Sequence, residues 1–195
     1  MPTPQTSLDR VAAFIDGWNF ARATQGMGLE VDFRRLLDYL RGQGRLLRAF
    51  YYIGRDAENP SQQGFVTWLS RNGYQVVQKP VRVYEDDTTG AQRRKADFDI
   101  QIAVDALTLA DRIDKAILFT GDGDFVPLVQ ALGMKGVRTQ VVTTLTDVNG
   151  RASAELVDAA DEFVELADLR RLIERPVRRS NGGAQPAPVV APGEP

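Results

Sequence analysis

The chain has 195 residues, 43% of them hydrophobic, and a formal net charge of −2, so it can fill the core of one domain of ordinary size with a tail to spare. It contains no cysteine and no histidine, which excludes disulfides, thiolate or imidazole zinc sites, cysteine nucleophiles and every triad built on a histidine base. Hydrolytic chemistry on such a chain must run on carboxylates, hydroxyls, lysines or a bound metal ion.

The opening stretch MPTPQTSLDR has no basic region followed by an apolar one, and no apolar run approaches membrane-spanning length. A cytoplasmic protein without membrane contact is expected, with residues 1–9 a flexible N-terminus. Val11 to Ile15 reads as a buried strand halted by Asp16-Gly17. Val31 to Leu40 places Phe33, Leu36, Leu37 and Leu40 on one helical face, with Asp32 as N-cap. Leu46 to Ile53, rich in aromatic residues, suits a second strand. Pro60 to Arg71 suits a helix closed by Asn72-Gly73, and Tyr74 to Val77 a third strand.

Arg82 to Gly90 reads as a loop or an edge extension. After it, Asp97 to Leu109 offers Ile100, Val104 and Leu107 at helical spacing. Ala116 to Thr120 is the next buried strand. A helix over Phe125 to Leu132 follows, tolerating Pro127 because it lies in the first turn, and then a strand over Val137 to Val142. Ala152 to Glu174 reads as mostly helical, interrupted by a short strand near Glu162 to Val164. Residues 176–195 are too rich in proline and glycine to pack and read as a disordered tail, leaving 10–175 as a single domain. Strands alternating with helices predict an α/β fold with a mainly parallel central sheet covered on both faces.

In open sheets of this kind, sites form outside the carboxyl ends of the strands. Three segments bring acids there: Asp16 with Asn19 in FIDGWNF, Asp97, Asp99 and Asp105 in KADFDIQIAVDAL, and Asp122 with Asp124 in FTGDGDF. Carboxylates held close together repel one another and are driven to protonate unless a cation neutralises them. Oxygen-only donors favour Mg2+ or Mn2+, ions that polarise water and phosphate oxygens. The plainer alternative is that these aspartates form turns and caps, and for each alone that alternative is the stronger one. Asn19 either orients a carboxylate or water, or caps the following helix. Asp99, in the first turn of its helix, either points back to the same sheet edge or, with Asp97, simply enriches a helix N-terminus in negative charge, whereas Asp105 lies about 120° round the helix and is a candidate for a supporting contact. Thr120 offers a hydroxyl or simply ends its strand. Arg93, Arg94 and Lys95 are candidates to grip phosphates, or a solvated charged loop. Trp18 and Trp68 are stacking candidates, with a core role the better account of Trp68.

FIDGWNF, DFDIQIAVDAL and ILFTGDGDFVPLVQALGMKGVRTQVV, in that order, resemble the NYN domain of the LabA-like group, a relative of the PIN and FLAP nuclease folds. The resemblance covers about residues 10 to 165. It implies a three-layer α/β/α, PIN-like (Rossmann-like) domain whose acidic pocket binds Mg2+ or Mn2+ for RNA cleavage. On this resemblance the ligands are Asp16, Asp99, Asp122 and Asp124, Asn19 assists, and Asp97 is an extra acid. A metal-dependent endoribonuclease is therefore the leading expectation. A non-catalytic regulator using the same pocket to bind RNA or a protein is the alternative, and an aspartyl-phosphate phosphatase ranks last because Gly17-Trp18 follows Asp16 where that chemistry needs a second acid. RNA is the expected partner, and a homodimer or a protein recruited by the Pro-rich tail stays open.

Overall fold

Uninterrupted apolar character from Val11 to Ile15 follows from burial on two sides: every one of these residues is at most 1% exposed. The computed structural model describes residues 9–55, 59–85, 92–95, 97–145 and 152–176, and of 82–85 and 92–95 the backbone. In chain order the elements are β1 (Arg10–Asp16), α1 (Gly17–Gly26), α2 (Phe33–Gly42), β2 (Arg45–Arg55), α3 (Pro60–Arg71), β3 (Gln75–Pro80), β4 (Arg82–Glu85) and β5 (Gln92–Lys95). They continue with α4 (Asp99–Leu109), β6 (Lys115–Phe119), α5 (Val126–Met134), β7 (Arg138–Thr143), α6 (Ala154–Ala159), β8 (Glu162–Glu165) and α7 (Arg170–Ile173). The expected flexible N-terminus and tail fall, but for Asp9, Pro176 and the domain's edges, outside the described residues.

Six strands pair in the order β3-β2-β1-β6-β7-β8, every pair parallel. The chain runs outward from β1 to β3 and returns to lay β6 on the other side of β1. That reversal opens a crevice at the carboxyl ends of β1 and β6. Alternation along each strand divides the apolar residues between two cores. Val11, Ala13 and Ile15 pack with Phe20, Phe33, Leu36 and Phe65 on one face, while Ala12 and Phe14 pack with Ile102, Leu128, Leu132 and Leu156 on the other. The result is three layers, helix, sheet and helix.

Local chemistry sets most helix starts. The Asp32 carboxylate accepts the amides of Arg34 and Arg35 at the start of α2. Asn59 caps α3 ahead of Pro60, and Pro127 sits in the first turn of α5, where its missing N–H is no loss.

Three expectations need correction. The stripe of Ile100, Val104 and Leu107 does not face the core: these residues are 79%, 52% and 37% exposed, and Phe98, Ile102, Ala106 and Ala110 are buried instead. Both stripes have helical period on opposite sides of α4, so spacing alone does not choose between them. The C-terminal segment is less helical than expected: α6 and α7 are short, and β8 between them is a full member of the main sheet. Of the stretch expected as a loop or edge extension, Arg82–Glu85 is neither, and 86–90 lie outside the described residues. β4 and β5 pair with each other, antiparallel, as a separate two-stranded ribbon.

Candidate active site

Asp16 closes β1 and opens α1. Its Oδ1 accepts the amides of Trp18 at 3.0 Å and Asn19 at 3.2 Å, and its Oδ2 accepts the side-chain amide of Asn19 at 2.7 Å. Asn19 thus orients the carboxylate, while Asp16 itself caps the helix. Burial raises the Asp16 pKa, the hydrogen bonds from Asn19 and Trp18 oppose that rise, and the charge of Asp122 adds to it.

Parallel pairing sets Ile15 opposite Phe119, so the loop leaving β6 emerges beside Asp16. The buried Thr120 hydroxyl accepts the Asp122 amide at 3.2 Å, and Asp122 Oδ1 accepts the Asp124 amide at 2.9 Å. The third segment repeats the device, with Asp97 Oδ1 accepting the Asp99 amide at 3.0 Å. Each Asp-x-Asp is therefore an Asx-turn in which the first acid fixes the backbone of the second. Glycine adjoins the acids where the backbone runs against its neighbours. A Cβ on Gly17 would lie 2.4 Å from the Tyr52 carbonyl oxygen, and one on Gly123 would lie 2.9 Å from Ser153 Oγ.

Asp99, Asp122 and Asp124 converge: one carboxylate oxygen from each lies within 4.8 Å of the others, the one such acidic group found among the described residues. Oxygens on opposite sides of a magnesium ion are about 4.2 Å apart, since each bond is about 2.1 Å. The trio is therefore close to the width of one ion's shell, and its all-oxygen donors match a hard cation. The Asp99 pKa is pushed up to about 7, first by burial and then by the charges of Asp97, Asp122 and Asp16. That strain is what a divalent cation would relieve.

Asp16 stands beside this trio without joining it, its two oxygens already engaged by Trp18 and Asn19. Asp105 does not join it either. Its Oδ2 accepts the Tyr52 hydroxyl at 3.0 Å and its Oδ1 the Gln101 amide at 3.0 Å, which ties α4 to β2. Trp68 packs against the core beneath the Arg34 guanidinium, 5.5 Å from its ring centre, and Trp18 is half-buried. Arg93, Arg94 and Lys95 lie on β5 of the ribbon. Asp97 meets Asp99 although residues two apart do not share a helix face, because that rule holds only inside a helix and α4 begins at Asp99. The signal for it was the Asp-x-Asp spacing itself, which marks an Asx-turn.

The architecture and the acid trio define a PIN-like α/β domain with three converging carboxylates at the topological switch of its sheet. The NYN domain family matches residues 10–168. The chain is 35% identical over 187 residues to the low amplitude and bright protein LabA of Synechococcus elongatus, covering 94% of this chain and 96% of LabA. A crystal structure of a Vibrio parahaemolyticus protein of unknown function shares the fold, with a TM-score of 0.70 and 24% identity over 89% of this chain and 99% of the other. The chain belongs to the NYN-domain family, a PIN-like family of nucleases. Among the described residues no helix is long and apolar enough to cross a membrane.

Proposed function

We propose that this protein is a metal-dependent endoribonuclease of the cytoplasm, hydrolysing RNA phosphodiester bonds at the carboxyl ends of β1 and β6. The observation that carries the reading is the convergence of Asp99, Asp122 and Asp124 within 4.8 Å, on a domain of a nuclease-like family. These three residues would hold Mg2+ or Mn2+, with Asp16 adding its charge from beside them. When bound, such an ion supplies Lewis acidity toward a phosphodiester and water. The chain's own residues do the positioning. The Thr120 hydroxyl fixes the Asp122 amide, Asp122 fixes Asp124, Asp97 fixes Asp99, and Asn19 holds Asp16. Preorganised in this way, the acids meet a cation with little rearrangement left to make.

The test is Asp122→Ala. Manganese-stimulated RNA cleavage is expected to vanish while the metal-free chain stays folded, the relief of a repelling charge being set against the lost acceptor for the Asp124 amide. Unchanged cleavage in that variant rejects the assignment. Wild-type protein that binds RNA yet cuts none across a panel of metals would replace the enzyme with a regulator using the same pocket.

A further inference from the structure

The β4–β5 ribbon stands apart from the main sheet, yet both of its ends are tied to the edge where the acids gather. β4 begins two residues after β3 ends, and the Val81 amide between them bonds the Arg55 carbonyl at the carboxyl end of β2. At the other end only three residues of chain lie between Lys95 and Asp99, so the two are at most about 14 Å apart. Lys79, near the end of β3, joins the two ends: its ammonium donates to the Asp97 carbonyl at 3.1 Å and sits 5.2 Å from the Phe98 ring centre.

The register of the ribbon sorts its charges. Arg82 pairs with Lys95 and Tyr84 with Arg93, so these four share one face, while Val83 with Arg94 and Glu85 with Gln92 share the other. One face therefore carries three cations, one aromatic residue and no acid. The other carries one cation against one acid. The chain as a whole has a net charge of −2, so three cations on one face of a short ribbon run against its overall balance. Cations around a single aromatic residue are the chemistry that recognises an unpaired polynucleotide strand, its phosphates meeting the charges and a base stacking on the ring. A duplex keeps its bases inside the stack and offers the ring nothing.

We propose that the Arg82, Tyr84, Arg93 and Lys95 face of the β4–β5 ribbon is an RNA-binding arm that seats a single strand beside the acid trio. This rests on the endoribonuclease reading. It assigns Arg94 to the opposite face, outside the contact.

The experiment measures fluorescence anisotropy of a labelled oligouridylate of about a dozen nucleotides, a length within the usual single-strand site size, on the full chain with calcium in place of magnesium. A blunt RNA duplex of equal length serves as the second probe. Tyr84→Ala is expected to weaken oligouridylate binding about 5- to 150-fold, and Tyr84→Phe to restore it. The triple change Arg82→Ala, Arg93→Ala and Lys95→Ala is expected to make the slope of log affinity against log salt shallower by about 2, about 0.7 per lost phosphate contact. Arg94→Ala is expected to match wild type, and the duplex to bind more weakly than the single strand. All variants should unfold at the wild-type temperature, since the ribbon lies outside the main sheet. A loss in Arg94→Ala equal to that of Arg93→Ala, or a duplex bound as tightly as the single strand, overturns the arm and leaves the nuclease reading standing. A wild-type chain that neither binds nor cuts any RNA overturns both.

Discussion

The Asp97 carboxylate accepts the Asp99 amide at 3.0 Å and so holds two acids side by side where α4 begins. Burial first, and the Asp97 charge next, push the Asp99 pKa up to about 7 from 3.8. An acid whose folded pKa is raised keeps a proton that the unfolded chain has already released, so stability falls as pH rises from about 4 through 7. Metal-free protein is therefore expected to unfold at a lower temperature at pH 8 than at pH 5. Manganese should raise the midpoint more at pH 8, by about 5 to 10 °C at a hundredfold excess over its dissociation constant. Asp97→Asn keeps an oxygen for the turn and removes the charge. It should shift this pH window downward without abolishing it, since burial is the larger cause. Scanning calorimetry across pH, with and without manganese, checks both expectations, and a midpoint independent of pH would contradict them.

Asp105 belongs to the scaffold. Its acceptor bond from the Tyr52 hydroxyl serves a side chain that is 0% exposed, and losing it strands that hydroxyl. Asp105→Ala is expected to cost about 1–3 kcal/mol, a fall of about 2 to 10 °C in the unfolding midpoint, with manganese affinity unchanged. Asp99→Ala is expected to do the reverse, weakening manganese binding while relieving repulsion in the metal-free chain. Isothermal titration with manganese, run beside the melts, separates the two. A large loss of metal affinity in Asp105→Ala would place that acid in the site after all.

What was legible in the sequence follows from how local the cause was. The strand of Val11 to Ile15, the Asp32 cap and the first-turn Pro127 are each set by a handful of neighbours, and each stands where the residues place it. The adjacency of β1 and β6, on which any shared site depends, was not legible: alternation of strands and helices predicts a parallel sheet but leaves the strand order open, and the pairing of Ile15 with Phe119 is what brings the two acidic turns together. The buried face of α4 was not legible, because Ile100, Val104 and Leu107 repeat with the same period as Phe98, Ile102 and Ala106. Only packing against β1 and α5 decides between the two stripes. The partner of Asp105 was hidden for a similar reason: Tyr52 lies fifty-three residues away, and its bond to Asp105 is a tertiary event. Nor does composition show that Asp16 spends both oxygens on its own turn. That depends on the geometry with which α1 leaves the strand.

Asn19 gives its side-chain amide to Asp16 Oδ2 at 2.7 Å, in a place where Asp16 is only 7% exposed. Asn19→Ala leaves that oxygen without its donor, at a cost of about 1–3 kcal/mol, and frees the carboxylate to turn. Manganese-stimulated cleavage is expected to drop about 10- to 100-fold, as is usual when the partner of a site acid is lost. The fall should lie in kcat, with KM for RNA little changed, because Asn19 acts on Asp16 and not on the strand. Steady-state kinetics on a fluorogenic RNA reads the split, and a change confined to KM would move Asn19 into the substrate contact.

Gly17 and Gly64 make a matched pair for the last prediction. Gly64 lies inside α3 with open space where a Cβ would stand, so Gly64→Ala is expected to stabilise by about 0.5–1 kcal/mol through the lost freedom of the unfolded chain. Gly17 offers no such room. Its Cβ would lie 2.4 Å from the Tyr52 carbonyl oxygen and 3.0 Å from the Tyr51 ring, so β2 or the start of α1 must move. Backbone on one side and a buried ring on the other leave no flexible end to yield, and about 1–3 kcal/mol of destabilisation is expected. Because Gly17 separates Asp16 from Trp18 and Asn19, whose amides hold that carboxylate, the displacement also misplaces the first acid. Gly17→Ala should therefore lose manganese-stimulated cleavage even well below its unfolding temperature, whereas Gly64→Ala keeps it. A Gly17→Ala chain with wild-type stability and wild-type cleavage would show that the turn after β1 has slack, and that the position of Asp16 is not set by its contact with β2.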